Sequence, residues 1–156
     1  MKVSIKQASP EHTEEISRIC SVGWRQTVQG IYSEEYQQKN VEHWYNHKRV
    51  HEDIVKGVYT HVALVGDRVV GTIGGMMTEP TISEIYVFYI DEQYRYQGIG
   101  TKLLAAFTEE HVRKGAIEQY VSVQEGNKYG IPFYESKGFR QRDDNNRYWR
   151  NLLCQK

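Results

Sequence analysis

The segment YRYQGIGTKLL, residues 94–104, places residue types suited to anion binding at the start of a helix-forming run. Two glycines, Gly98 and Gly100, stand where glycine is less favourable than alanine by roughly 1 kcal/mol once a helix has formed. The first amides of a helix have no partner within it, and the helix dipole places partial positive charge there. A backbone without Cβ lets a phosphate approach these amides, while Arg95 adds charge and Thr101 a hydroxyl. The segment therefore predicts a phosphate cradle, the alternative being a tight strand-to-helix turn.

Neither of the common nucleotide-binding patterns fits this segment. The Walker sequence needs G-x-x-x-x-G-K-[ST], whereas here the glycines are only two positions apart and Lys102 follows Thr101. The dinucleotide fingerprint G-x-G-x-x-G has Leu103 in place of its third glycine. The cradle is therefore expected to serve another class of phosphate ligand.

The elements that position the cradle follow from the spacing of apolar residues. Ser9-Pro10 predicts the start of a helix, and residues 24–50 predict one or two short helices. Gly66-Asp67 predicts the two-residue turn of a hairpin. A further helix is predicted at 98–114, with the buried face Ile99, Leu103, Leu104, Phe107 and Val112, and a short one within 127–138. Strands are predicted at 3–7, 61–65, 68–77, 83–91 and 119–124, and in the closing segments FRQ and RYWRNLL.

The order of these elements defines a fold class. The strands before and after the helix at 98–114 must pair in parallel, because the helix carries the chain across the sheet, whereas the hairpins are antiparallel. A mixed sheet in an α/β (α+β) arrangement follows. With 156 residues and no linker-like segment, residues 1–156 are expected to form a single domain.

Composition excludes several classes of protein. Lys plus Arg equals Asp plus Glu at 20 each, so the basic excess expected of a nucleic-acid-binding protein is missing. No stretch approaches the roughly 18 apolar residues of a membrane span, and the N-terminus lacks the apolar run of a signal peptide. Cys20 and Cys154 lack metal-ligand spacing, which favours a reducing, cytoplasmic environment. The six histidines are scattered, so no metal site is predicted.

Two motifs in this chain resemble those of one protein family. Arg95-Tyr96-Gln97-Gly98-Ile99-Gly100 is similar to the R/Q-x-x-G-x-G/A signature of the GNAT superfamily of N-acetyltransferases. The segment NKYGIPFYESKGF, residues 127–139, resembles the N-x-x-A-x-x-F-Y-x-x-x-G-F element of the same family, with Gly130 in place of the alanine. The motifs have the order and separation found in the family, and the order of strands and helices agrees over essentially the whole chain.

The resemblance implies a fold and a donor. The fold is a mostly antiparallel mixed sheet of six to seven strands with helices on both faces and a central parallel pair splayed at the CoA site. The donor is acetyl-CoA, whose pyrophosphate lies on the glycine turn and whose pantetheine arm pairs with the backbone of 89–91, the Ile90 amide polarising the thioester. Asn127 is implied as a pantetheine ligand or a helix cap. The donor-binding residues so implied are Tyr89, Ile90, Asp91, Arg95, Tyr96, Gln97, Gly98, Ile99, Gly100, Thr101, Asn127 and Tyr134.

The resemblance also implies catalytic residues. Tyr134 matches a tyrosine that donates a proton to the leaving thiolate in many family members, although it can instead only pack or bind the sulfur. Glu84 stands eleven residues before Arg95, where some members carry a general-base glutamate; the alternative is a solvated carboxylate near the end of a strand. Other members use water chains to strand carbonyls. Further candidates for the base are Glu79, His61, Tyr86 and Tyr89.

The acceptor is expected to be an amine of a small molecule or peptide. The residues predicted to line its site are those of the turn at 142–147 together with Trp24, Tyr32, Tyr36, His43 and Trp44. The alternative for each of these aromatic side chains is packing in the core. The predicted reaction is direct attack of a primary amine on acetyl-CoA in a ternary complex. The alternatives are a transferase for a longer acyl-CoA, a non-catalytic acyl-CoA sensor and a nucleotide-binding regulator. A homodimer is possible through an aromatic edge at 148–149.

Overall fold

A computed structural model of the chain describes residues 2–124, 127, 130–142 and 146–154. The helices are α1 (Thr13–Val28), α2 (Glu34–Trp44), α3 (His47–Val55), α4 (Ile99–Arg113) and α5 (Gly130–Ser136), with short 3-10 turns at Pro10–His12, Glu92–Tyr94 and Leu152–Cys154. The strands are β1 (Val3–Gln7), β2 (Tyr59–Val65), β3 (Arg68–Glu79), β4 (Ile82–Ile90), β5 (Glu118–Ser122), β6 (Arg140–Gln141) and β7 (Arg147–Asn151).

These strands form one sheet in the order β1-β2-β3-β4-β5-β7-β6. Neighbouring strands are antiparallel except β4 and β5, which flank α4 and pair in parallel. Helices α1 and α3 pack on one face of the sheet, and α4 and α5 pack on the other. The predicted mixed sheet with helices on both faces is therefore confirmed. No helix among the described residues is long and apolar enough to cross a bilayer.

Residues 24–50 contain two helix starts that local side chains stabilise. The hydroxyl of Ser33 accepts a hydrogen bond from the Tyr36 amide at 3.1 Å and begins α2. The side-chain oxygen of Asn46 accepts from the Arg49 amide at 2.7 Å and begins α3. Each cap satisfies an amide that the helix itself leaves without a partner, so the predicted short helices are confirmed.

The buried face of α4 differs from the prediction at its last turn. Val112 is half exposed, and His111 occupies the core position instead. His111 lies four residues after Phe107, one turn further along the same face, with their ring centroids 4.2 Å apart. Its Nδ1 lies 2.6 Å from the Ser83 hydroxyl, so the polar ring has a buried partner. The assignment of Val112 to the core was wrong because a valine was preferred over a histidine that can satisfy its hydrogen bonds.

The parallel pair is short and opens towards the end of β4. It joins Ile82–Ile85 to Glu118–Val121, and beyond it β4 continues beside β3 alone. The opening begins at a β-bulge, where Tyr86 has no opposite residue on β3. Gly75 lies against this bulge, and a Cβ there would be 1.9 Å from the Glu84 carbonyl oxygen. A bulge bends the strand that carries it, so the predicted splay of the parallel pair is confirmed.

The exposed aromatic edge predicted at 148–149 is not formed. Tyr148 is buried in the core beneath α5, so it does not form an exposed aromatic edge with Trp149. Alternate residues of a strand point to opposite faces, which explains why only one of these neighbours reaches the outside.

Candidate active site

Two clefts meet at the open end of the parallel pair. The larger, of about 310 Å³, lies between β4, the start of α4 and α5. The smaller, of about 180 Å³, lies between β4 and β5 where these strands separate. The residues common to both linings are Thr27, Phe88, Tyr89, Asn127 and Tyr134. A molecule bound in one cleft can therefore contact a molecule bound in the other.

The glycine turn forms one end of the larger cleft. Gly98 caps α4 with a φ of +82°, a left-handed conformation that other L-residues adopt at a cost. Gly100 faces α5, and a Cβ on it would be 3.3 Å from Cε1 of Phe133. The amides of Ile99, Gly100 and Thr101 precede the first helical hydrogen bond, which runs from the Lys102 amide to the Gly98 carbonyl. The turn therefore combines a backbone requirement for glycine with the anion-binding end of a helix of 15 residues.

The loop before Gly98 is attached to α1. Arg95 lines the larger cleft, and its guanidinium donates to the side-chain oxygen of Gln26. Tyr96 also lines the cleft, has a φ of +63° and is almost fully exposed. Gln97 is exposed and does not belong to the lining. Of these three predicted donor-binding residues, the structure brings two to the cleft.

Asp91 stabilises the loop and does not line either cleft. Its amide donates to the Val70 carbonyl at 2.8 Å, so the expected exposure of this amide for pairing with a ligand is wrong. Its carboxylate lies 3.3 Å from the guanidinium of Arg18 and 3.4 Å from that of Arg68. Burial opposes ionisation, but the Gln93 amide and these two arginines outweigh it and hold the pKa of Asp91 below its usual value.

The direction of the β4 amides follows from this hydrogen bond. Amides alternate in direction along a strand, so Tyr89 points its amide to β3, as Asp91 does, while Phe88 and Ile90 point theirs to the open side. Two amides therefore face the side from which β5 has separated. Ile90 was predicted for this role, whereas Phe88 was missed because its direction depends on the register beyond the bulge.

Helix α1 supplies two lining residues that sequence reasoning did not assign to the site. Gly23 lines the larger cleft, and Thr27 lines both. A Cβ on Gly23 would lie 2.4 Å from Cδ1 of Tyr89, so only glycine lets α1 lie this close to β4. A glycine on the apolar face of a predicted helix was the available signal, because it marks a close approach of backbone and ring.

Tyr134 lies where the two clefts join. Its ring packs among Phe88, Phe133 and Phe139 at centroid distances of 5.3 to 6.1 Å. Within the part of the chain that the structure describes, no group hydrogen-bonds to its hydroxyl. Burial, with a smaller contribution from Tyr89, raises the pKa of Tyr134 above its usual value. The hydroxyl is therefore protonated at neutral pH and has its proton available to a ligand.

Asn127 also lies at the junction of the clefts. Its side-chain oxygen accepts a hydrogen bond from the Gly130 amide at 2.9 Å, and its carbonyl accepts from the Ile131 amide at 3.1 Å. These bonds are those of a cap at the start of α5. The cap does not exclude ligand binding, because Asn127 lines both clefts as well.

Glu84 is engaged by an arginine on the outer side of the bulge. Both of its carboxylate oxygens accept from the Arg147 guanidinium, at 2.9 and 3.1 Å. It lines neither cleft, and its general-base role stays a prediction. Such a two-point pair occupies the carboxylate that would have to receive a proton.

The other candidates for the general base lie in different surroundings. Tyr89 is partly buried beside α1, and burial raises its pKa well above the usual value. His61, on β2, has its pKa lowered by burial and lies outside both clefts, as does Glu79. Tyr86 lines the smaller cleft and is half exposed.

The smaller cleft has an uncharged lining among the described residues. Trp24 lies on its rim, whereas Tyr32, Tyr36, His43 and Trp44 do not line it. The ring of Tyr32 stacks on that of Trp24, and the ring of Tyr36 contacts that of Tyr32 at an inclination of 56°. The turn predicted to complete the acceptor site, 142–147, has its residues 143–145 outside the described residues. Across the described ranges, no group of three or more His, Cys, Asp or Glu residues is arranged to hold a metal ion.

Known proteins match this chain over most of its length. The sequence model of the Acetyltransferase (GNAT) family matches residues 21–139. The spermidine N(1)-acetyltransferase of Thermoplasma acidophilum is 26% identical over 147 residues, which cover 92% of this chain and 91% of that protein. The structure of the PaiA N-acetyltransferase from Thermoplasma acidophilum in complex with coenzyme A has a TM-score of 0.88 at 24% identity, covering 97% of this chain and 99% of that one. Ard1 from Thermoplasma volcanium has a TM-score of 0.70 at 23% identity, covering 98% and 99%.

Proposed function

Since the chain belongs to the GNAT family and is an acetyl-CoA-dependent N-acetyltransferase, we propose that it acetylates a primary amine of a small molecule by direct attack within a ternary complex. The observation that carries this proposal is the junction of the two clefts at the hydroxyl of Tyr134, which has no hydrogen-bond partner among the described residues. Donor and acceptor held in adjacent clefts react as one complex, which removes much of the entropic part of the barrier.

The larger cleft is assigned to acetyl-CoA. The pyrophosphate lies against the amides of Ile99, Gly100 and Thr101, where the helix dipole favours negative charge. The pantetheine arm then runs along the open edge of β4, pairing with the backbone groups that β5 leaves without partners. The amides of Phe88 and Ile90 are the donors available to the thioester oxygen, on which negative charge develops during attack.

Tyr134 is assigned the role of general acid. The amine nitrogen forms a bond to the carbonyl carbon, the carbon–sulfur bond breaks, and the sulfur leaves as a thiolate. The Tyr134 hydroxyl then donates its proton to the thiolate and recovers a proton from solvent. Asn127 is assigned to the pantetheine arm through the part of its side chain that faces the clefts.

The smaller cleft is assigned to the acceptor amine. An amine attacks only when it is neutral, and transfer from water into an uncharged, partly apolar environment disfavours its ammonium form. The described lining residues carry no charge that would oppose this loss of a proton. Water at the open side of the cleft is the simplest recipient of the proton, and Tyr86 is a half-exposed titratable side chain in the lining of this cleft.

An acetyl-transfer assay tests this proposal. Spermidine is the first acceptor to examine, because a relative that shares nearly the whole length of the chain is named for it. An aliphatic monoamine, free lysine and a peptide with a free N-terminus complete the panel, with CoA release and product mass as the readouts. Acetylation of a small-molecule amine supports the proposal. Acetylation of the peptide alone, or binding of acetyl-CoA with no CoA release for any amine, overturns it.

A further inference from the structure

Three aromatic rings form a row that leads outward from the smaller cleft. Trp24 and Tyr32 have centroids 6.4 Å apart and rings inclined by 24°, and Tyr32 and Tyr36 follow at 4.8 Å. We refer to Trp24, Tyr32 and Tyr36 as the aromatic row. Trp24 lies on the rim of the cleft, so the row continues the proposed acceptor site into solvent.

We propose that the aromatic row binds a second positively charged group of the acceptor, so that the preferred substrates are amines with a distal ammonium. This inference rests on the proposed function, because it assigns the acceptor to the smaller cleft. An ammonium within about 6 Å of an aromatic ring is attracted by the negative face of the ring. Closely spaced rings let a linear polyamine place more than one ammonium along the same path.

The exposure of the row supports a ligand rather than a packing role. Tyr32 is 39% exposed and Tyr36 is 50% exposed, so both rings are accessible to a ligand from solvent. No Lys or Arg of the described residues lies over any ring of the row. Five other rings of the described part of the chain do carry such a cation: Arg49 over Trp44, Arg142 over Trp149, Arg147 over Tyr120, Lys137 over Phe133 and Arg150 over Phe139.

Two exposed carboxylates stand in the first turn of α2, next to Tyr36 in the chain, and each is paired with a cation. Glu34 and Glu35 precede Tyr36 in the first turn of α2, with side chains 76% and 81% exposed. Each pairs loosely with a cation of the chain, Glu34 with Arg25 and Glu35 with Lys39, both at 3.4 Å. Exposed pairs of this kind contribute little, so an incoming ammonium can compete for these carboxylates.

Pairs of amines with equal carbon number test the inference directly. A linear diamine and the corresponding monoamine present the same reacting group, but only the diamine carries a distal ammonium. We expect kcat/KM to be at least about fivefold higher for the diamine, with most of the difference in KM, because the distal group binds without taking part in the reaction. Equal values for the two amines, or a preference for the monoamine, overturn the inference while leaving acetyl transfer to small amines intact.

Variants of Tyr36 separate attraction by the ring from simple contact. We expect Tyr36→Phe to keep the preference for the diamine, since it keeps the aromatic face, and Tyr36→Leu to reduce it about threefold or more. Trp44→Leu is the matched control, because Trp44 is also an exposed aromatic of α2 but lies outside the row and is covered by Arg49. Equal loss of preference in Tyr36→Phe and Tyr36→Leu assigns the effect to the hydroxyl and overturns the inference.

Two further measurements separate the inference from failure of the protein or of the proposed function. Thermal unfolding must stay close to wild type in Tyr36→Leu, since Tyr36 is half exposed. Sedimentation shows whether the row instead joins two copies of the chain. Loss of a dimer in Tyr36→Leu with an unchanged preference for the diamine overturns the inference. Failure of every amine to release CoA refutes the proposed function itself.

Discussion

Replacing Tyr134 by phenylalanine removes one hydroxyl at the junction of the two clefts and leaves the ring in place. That hydroxyl has no hydrogen-bond partner among the described residues, so the folded protein loses no internal bond. The hydroxyl is accessible from the cleft rather than sealed in the core, so solvent can satisfy it and its removal changes the free energy of unfolding little. We expect the free energy of unfolding of Tyr134→Phe to stay within about 1 kcal/mol of wild type or to rise.

The effect on turnover is expected to be much larger. Proton donation by a positioned acid contributes about 10²–10⁴-fold, and a thiolate, with a pKa of about 8.5, needs this help less than an alkoxide or amide does. We therefore expect kcat to fall about 10- to 100-fold, which corresponds to roughly 1.4–2.7 kcal/mol of lost transition-state stabilisation. The KM for acetyl-CoA should change little, because the pyrophosphate and the β4 backbone carry most of the proposed donor contacts.

The assay measures kcat and KM for acetyl-CoA at saturating amine, together with the midpoint of thermal unfolding. Tyr94→Phe is the matched control, since Tyr94 lines the larger cleft but not the junction. An unchanged kcat in Tyr134→Phe removes this residue from the mechanism. A fall in kcat of the same size in Tyr94→Phe shows that loss of any hydroxyl from the cleft suffices, and equally refutes the assignment.

Three other predictions concern stability and the alternative base. Gly75→Ala should lower the free energy of urea unfolding by about 1–3 kcal/mol, because its Cβ would meet a strand carbonyl at 1.9 Å; unaltered stability would contradict the geometry of the bulge. Glu84→Gln should lower the free energy of unfolding by about 1–3 kcal/mol, because it removes the charged pair with Arg147. Its kcat should stay within about twofold of wild type. A hundredfold fall in kcat would instead restore Glu84 as the general base. Burial lowers the pKa of His111 to about 4 in the folded protein, whereas a histidine of the unfolded chain has a pKa of about 6.5. Between these two pH values only the unfolded chain binds the proton. The free energy of unfolding therefore falls by up to about 3 kcal/mol as the pH is lowered through this range. His111→Gln should show a smaller difference between urea unfolding at pH 7 and pH 4.5, and an equal difference would exclude His111 as its source.

Much of the fold was predictable because the signals are local. Turn residues, helix caps and apolar periods act over a few positions, so the hairpin at Gly66-Asp67 and the helix at 98–114 were placed within one or two residues of their observed bounds. The parallel pairing of β4 and β5 followed from connectivity alone, since a helix between two strands carries the chain back to the same edge. His111 and Tyr148 were misjudged because burial depends on partners from distant segments.

The proposed donor site was predictable for the same reason. The spacing of Gly98 and Gly100 at the start of α4 determines a left-handed turn followed by free helix amides, and no distant residue is needed for that conclusion. The contribution of Asp91 was not predictable in this way. Whether a strand residue offers its amide to a ligand or to the neighbouring strand depends on the register, which the bulge at Tyr86 shifts.

The sequence by itself therefore determined the strand–turn–helix unit, the order of the elements and the residue types that suit a pyrophosphate. Only the tertiary structure decided which groups remain available for chemistry. It leaves the hydroxyl of Tyr134 without a described partner, binds both oxygens of Glu84 to Arg147 and aligns Trp24, Tyr32 and Tyr36 in one row. The physical reason is that reactivity and recognition depend on the groups that surround a side chain in space, and those groups come from segments that are far apart along the chain.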